Sequence, residues 1–109
     1  MDAFTQYAMV SSDEALKDSG ILDSNANRDR IGVVWGSGIG GLNTFQEEAK
    51  NYFGSDGPPR LNPFFIPKMI ADMAAGQISI KHELRGPNYV TVSACASATN
   101  ALIDSFNLI

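Results

Sequence analysis

The 109-residue chain has one cysteine, one histidine and one tryptophan, and no cluster of basic residues. A single cysteine excludes an internal disulfide framework, and one Cys with one His cannot build a four-ligand zinc site. Eight Lys and Arg stand against twelve Asp and Glu, a formal net charge of −4. The basic footprint of an electrostatic nucleic-acid binder is therefore missing. No apolar run approaches the ~20 residues that cross a bilayer. Met1-Asp2-Ala3-Phe4 has neither the basic nor the apolar region of a secretory leader. The expectation is a cytoplasmic protein with no membrane and no nucleic-acid partner. What is present, 44% hydrophobic and 18% charged residues, is an ordinary globular mixture of about one small domain.

The chain reads as alternating helix and strand, an α/β pattern. Residues 3–19 form a helix with Phe4, Tyr7, Ala8, Ser11 and Ala15 on one face, and Gly20 follows as a residue able to take positive φ. Ile31 to Trp35 reads as a short buried strand that runs straight into glycines. A second helix covers Leu42 to Tyr52, with the stripe Leu42, Phe45, Ala49 and Tyr52. A third begins near Phe64–Pro67, with Pro67 in its first turn and the stripe Ile66, Met69, Ile70, Met73 and Ala74. The methionines Met69 and Met73 read as core packing. Tyr89 to Ser93 is β-branched and aromatic enough for a central strand, and a last helix starts near Ala96. The chain stops at Leu108-Ile109 with no cap and starts almost inside a helix, so both ends read as cut from a longer protein.

Cys95 is the thiol to explain. It directly follows a buried-type strand and lies among small residues, Ser93-Ala94-Cys95-Ala96-Ser97-Ala98, as a crowded strand-to-helix turn needs. At such a turn the first unpaired N–H groups of the helix and its dipole favour thiolate. The same donors can stabilise the oxyanion of an attacked thioester, which is the setting of an activated nucleophile. The alternative is a small buried hydrophobe, the commonest fate of a free cysteine. The only histidine, His82, lies thirteen residues upstream in the polar stretch Lys81-His82-Glu83 and reads as a surface residue.

Gly36-Ser37-Gly38-Ile39-Gly40-Gly41 contains G-x-G-x-x-G between a strand and a helix, the setting of a dinucleotide-binding fingerprint. The acidic residue that should end a second strand about twenty positions on is not there; Asp56 sits in a Gly/Pro loop. The fingerprint is incomplete, and the glycines read instead as a tight reversal beside something packed close, or as the wall of a different ligand site.

Several segments in order resemble the β-ketoacyl-acyl carrier protein synthases: Phe4-Thr5-Gln6-Tyr7-Ala8, the glycine loop Gly36 to Gly41, Pro63-Phe64-Phe65-Ile66-Pro67, Met73-Ala74-Ala75-Gly76, Leu84-Arg85-Gly86-Pro87 and Ser93-Ala94-Cys95. The resemblance covers essentially the whole chain. It implies a partial thiolase-like fold, a portion of the N-terminal α/β/α half, with residues 1–109 a fragment of that domain. It implies an elongating condensing enzyme of fatty-acid synthesis, an acyltransferase in which Cys95 takes the acyl chain and its N–H is one oxyanion-hole donor. Phe45 is, by the same resemblance, a candidate acyl-pocket residue. The implied partner is acyl carrier protein, with its acyl and malonyl phosphopantetheine arms, and the implied assembly is a homodimer. No metal or organic cofactor is expected. The family's two histidines have no counterpart here, since His82 matches neither, so the chain alone is expected not to catalyse condensation. Other readings are a polyketide-type ketosynthase fragment and a non-catalytic dimerisation module.

Overall fold

A computed structural model describes all 109 residues. Strand β1 (Val33–Gly36) lies parallel to β2 (Asn88–Thr91), with Val33 opposite Asn88, Val34 opposite Tyr89, Trp35 opposite Val90 and Gly36 opposite Thr91. Two parallel strands need a long crossover, and here it is helical: α2 (Leu42–Gly54), α3 (Phe65–Met69) and α4 (Met73–His82). Helix α1 (Ala3–Ser19) precedes the pair and α5 (Ser97–Leu108) follows it. α4 and α5 both pack on β1, and α1 packs along α4. The alternating order of helix and strand is the α/β architecture the sequence pattern implies.

The core is built from small side chains. Ala8, Ala74, Ile78 and Leu84 are buried together, with Phe4, Met9, Leu22, Ile31, Val33 and Trp35 packed against them. Alanines at the α1–α4 contact, Ala8 on one side and Ala74 on the other, let the two helix backbones approach closely. The radius of gyration, 16.2 Å, exceeds the ~13 Å of a self-contained domain this long. The outward faces of α2 and α5 are correspondingly apolar and exposed, with Phe45, Phe53, Leu102, Ile103 and Phe106 among the exposed side chains. No helix is long and apolar enough to cross a membrane.

Several sequence expectations change in detail. The buried face of α1 is Thr5, Ala8, Ser12 and Leu16 with Phe4, while Tyr7, Ser11 and Ala15 face outward. The stripe on α2 is not covered: Leu42, Phe45 and Tyr52 are exposed. The third helix is two helices, because Ile70 turns extended (φ −65°, ψ 144°). The reason is a tertiary contact. Gly41 donates its N–H to the Met69 carbonyl at 2.7 Å, taking the acceptor that a continuous helix would use. Pro67 still falls in the first turn of α3, and Gly20 adopts φ +66° beyond α1. Met69 and Met73 are half-buried. The strands also shift: β1 ends on Gly36 and β2 on Thr91, because Val92 and Ser93 leave the sheet for the turn that carries Cys95.

Candidate functional site

Cys95 stands beyond the C-terminal end of the parallel pair, where crossover sheets present their functional groups. β2 ends at Thr91, a single 3₁₀ turn spans Ala94–Ala96, and α5 begins at Ser97. The thiol is exposed, so the buried-hydrophobe alternative does not describe it. Ala94, immediately before it, has φ +48°, a left-handed conformation that costs a residue with a Cβ about 1–2 kcal/mol. Non-glycine residues persist there only where the surroundings over-determine them.

The surroundings here are a set of hydroxyl and amide bonds. The buried Ser97 hydroxyl accepts the Ser93 N–H at 2.9 Å and donates to the Ala94 carbonyl at 2.8 Å, so it bridges the residues on either side of the bend. Thr91 Oγ1 donates to the Ser97 carbonyl at 2.7 Å, and Asn100 Nδ2 donates to Ser93 Oγ at 2.6 Å. The Ala96 N–H closes the turn on the Ser93 carbonyl at 2.9 Å. On the sheet side, Gly36 has no side chain where a Cβ would lie 2.6 Å from the Ala98 nitrogen. That gap lets the first turn of α5 rest directly on the end of β1. The sequence reading singled out Cys95 but missed Thr91, Ser97 and Asn100, which their residue types alone do not set apart.

The glycine loop passes beside the same turn, with a Cβ built on Gly38 only 3.9 Å from the Ala94 carbonyl oxygen. Next to it, Ile39, Gly41, Leu42, Phe45, Met69, Ile70 and Ala71 line an apolar cavity of about 390 Å³. Phe45 is half exposed and tilts at 34° against Phe65, ring centroids 6.3 Å apart. Ile39, which sequence reasoning passed over as a loop residue, thus shares a cavity with Phe45. The glycines themselves serve close packing: Gly40 has φ +90°, and a Cβ there would sit 2.6 Å from the Met69 carbonyl oxygen. A tight reversal was among the sequence expectations for this loop.

His82 is not the surface residue expected. Its side chain is 14% exposed and its Nε2 is 2.8 Å from Asp13 Oδ1, while Lys81 Nζ bonds Asp13 Oδ2. Hydrogen bonds from Lys81 and then His82 hold the Asp13 carboxyl below the usual carboxylate range. This cluster joins α1 to the end of α4, before β2 begins, whereas Cys95 lies past the end of β2. At ~3.3 Å per strand residue the sheet separates the two, so His82 does not reach the thiol. No three His, Cys, Asp or Glu side chains converge as metal ligands would.

The fold is that of an α/β protein with an exposed cysteine on a strand-to-helix turn, and an apolar cavity adjoins the neighbouring glycine loop. Residues 1–109 match the family model described as the β-ketoacyl synthase, N-terminal domain, and the chain belongs to that family. It is 52% identical to the 3-oxoacyl-[acyl-carrier-protein] synthase 2 of Staphylococcus aureus over 110 aligned positions, covering all of this chain and 27% of that protein. It is 41% identical to the protein of the same name from Synechocystis, again over the whole chain and 26% of the relative. The chain thus spans about a quarter of the length of the curated relatives it matches.

Proposed function

We propose that the chain carries the acyl-accepting nucleophile of a fatty-acid-elongating 3-oxoacyl-acyl-carrier-protein synthase, and that this nucleophile is Cys95. The observation that carries the reading is the exposed thiol on a strained turn between β2 and α5, with the start of the helix behind it. The Cys95 thiolate attacks the thioester carbonyl of acyl carrier protein, forming a tetrahedral oxyanion. The Cys95 N–H is one donor to that oxyanion. Collapse re-forms the carbonyl and expels the phosphopantetheine thiolate, which takes up a proton, leaving the acyl chain on Cys95.

In the full-length enzyme malonyl carrier protein then loses CO2, and the electron pair of the broken C–C bond becomes a carbanion. That carbanion attacks the Cys95 thioester, and the product leaves as a 3-oxoacyl thioester while Cys95 departs as thiolate. Phe45 and Ile39 border the cavity that receives the acyl chain. Their support is position: the cavity adjoins the glycine loop, which runs past the Ala94–Cys95 turn. Residues 1–109 are read further as part of the N-terminal half of a longer enzyme, which the match to an N-terminal-domain model supports; the thiolase-like fold and the homodimer are what the family resemblance implies. His82 is engaged with Asp13, and no second histidine exists to assist decarboxylation. Acyl transfer is therefore assigned to this chain and carbon–carbon bond formation is not.

The test is incubation with an octanoyl thioester of N-acetylcysteamine followed by intact mass. One octanoyl group, released by hydroxylamine and absent from Cys95→Ala, is expected. No acylation of the native chain, or acylation that survives Cys95→Ala, contradicts the assignment.

A further inference from the structure

We infer that Ser97 is a positioning residue for Cys95, working with Asn100 to hold the strained turn on which the thiol stands; the inference rests on the reading of Cys95 as the nucleophile. A serine at the start of a helix ordinarily caps it, its oxygen accepting an N–H two or three residues ahead. Ser97 does not. Its hydroxyl looks backward, accepting from Ser93 N–H at 2.9 Å and donating to the Ala94 carbonyl at 2.8 Å. Both bonds serve the bend, and neither serves the helix.

Between those two partners lies the Ser93–Ala94 peptide, and Ala94 is one of only two non-glycine residues in the chain with positive φ. Holding the Ser93 N–H and the Ala94 carbonyl on one hydroxyl restrains the three soft torsions between them, the ψ of Ser93 and the φ and ψ of Ala94. The next atoms along the chain are the N and Cα of Cys95. Ser97 is itself tied down, with its carbonyl accepting the Thr91 hydroxyl at 2.7 Å and the residue only 4% exposed. Asn100 anchors the other side through Ser93 Oγ at 2.6 Å. Removing the Ser97 hydroxyl deletes the two bonds that span Ala94, and the left-handed strain there then favours relaxation. Relaxation to negative φ swings the thiol away from the start of α5.

Cys95 is the only cysteine, so alkylation by iodoacetamide reports on it alone. The rate in the native chain is measured against the same chain unfolded in urea, for wild type, Ser97→Ala, Ser97→Thr and the double variant Ser97→Ala with Ala94→Gly. Native wild type is expected to react faster than its unfolded form, and Ser97→Ala to be slower than wild type by about fivefold to tenfold. Ser97→Thr keeps the hydroxyl and the rate. Glycine adopts positive φ without strain, so Ala94→Gly restores most of the rate in the Ser97→Ala background. Rescue at the neighbouring backbone is what a purely packing role for Ser97 does not give.

Should Ser97→Ala unfold on a thermal melt, Asn100→Ala removes the outer anchor at a half-buried site, and a fall of about threefold is expected. A fast wild type left unchanged by the variant that folds overturns the assignment of Ser97 alone. A wild type no faster than its unfolded form overturns the nucleophile reading and this inference with it.

Discussion

The Asp2 carboxylate reaches across the chain to Thr44, accepting its N–H at 2.9 Å and its hydroxyl at 2.7 Å through the same oxygen, Oδ2. Thr44 lies in the first turn of α2, whose own cap position is Gly41 and offers no side chain. A residue at the head of α1 thereby caps α2 and fixes where the glycine loop ends. Two bonds to a buried carboxylate are worth ~1.5–3 kcal/mol each before the replacement finds new partners. Asp2→Ala is expected to cost about 2–3 kcal/mol in urea unfolding.

The same contact sets a pH dependence. Burial works to raise the Asp2 carboxyl, but the Thr44 hydroxyl and amide, with the Phe4 and Ala3 N–H groups, hold it below the usual carboxylate range. A carboxyl lowered in the folded state gives stability that is complete above its unfolded value of ~3.9. That stability is lost as pH falls from there through the lowered folded value. Asp13, held low by Lys81 and His82, acts in the same direction. Melting temperature is expected to fall between about pH 5 and pH 2, and to fall less in Asp2→Asn than in wild type.

Gly36→Ala tests the seat of the Cys95 turn. The new methyl would lie 2.6 Å from the Ser97 carbonyl carbon and the Ala98 nitrogen, and backbone cannot step aside cheaply. A loss of about 2–3 kcal/mol is expected, with slower Cys95 alkylation in whatever remains folded. Unchanged stability and reactivity contradict the contact.

Glu83→Gly is expected to stabilise. Glu83 ends α4 at φ +55° and ψ +40°, with its N–H on the Ser79 carbonyl, the setting that favours glycine. Its side chain is exposed and lies 3.7 Å from Arg28, a surface pair that contributes little. Relief of the left-handed strain outweighs that loss, for a net gain of about 0.5–1 kcal/mol by thermal or urea unfolding.

Phe45→Ala separates a pocket residue from a core residue. Phe45 is already half exposed, so truncation is expected to cost about 1 kcal/mol or less, well under the ~3–5 kcal/mol of a buried phenylalanine. The cavity it shares with Ile39 widens, and Cys95 acylation is expected to shift toward longer acyl thioesters. A stability loss of core size, with no change in chain-length preference, contradicts the pocket role.

Element type was legible wherever a local signal was strong. α1 was bounded by its periodicity and by Gly20, and the two strands by β-branched runs between turn residues. What failed depended on partners distant in sequence. The break between α3 and α4 is made by Gly41 taking the Met69 carbonyl, and nothing in residues 65–82 announces it. The outward turn of Tyr7 and of the α2 stripe follows from which faces find a neighbour, a property of packing and not of periodicity. His82 read as a surface residue because Asp13, its partner, lies 69 positions away. At the site, Cys95 stood out as the only thiol after a strand, while Ser97 and Asn100 looked like ordinary small and polar helix residues. Only the backward direction of the Ser97 hydroxyl distinguishes it, and direction is not written in composition.

The central claim, that Cys95 is an acyl-accepting nucleophile beside an apolar cavity, is tested most directly by brief exposure to cerulenin, an epoxide carrying an acyl-like chain. Intact mass and peptide mapping follow, with Cys95→Ala as control. One adduct per chain, located on Cys95 and absent from the control, is expected. No adduct on the folded chain, under conditions where iodoacetamide labels the urea-unfolded chain fully, contradicts it.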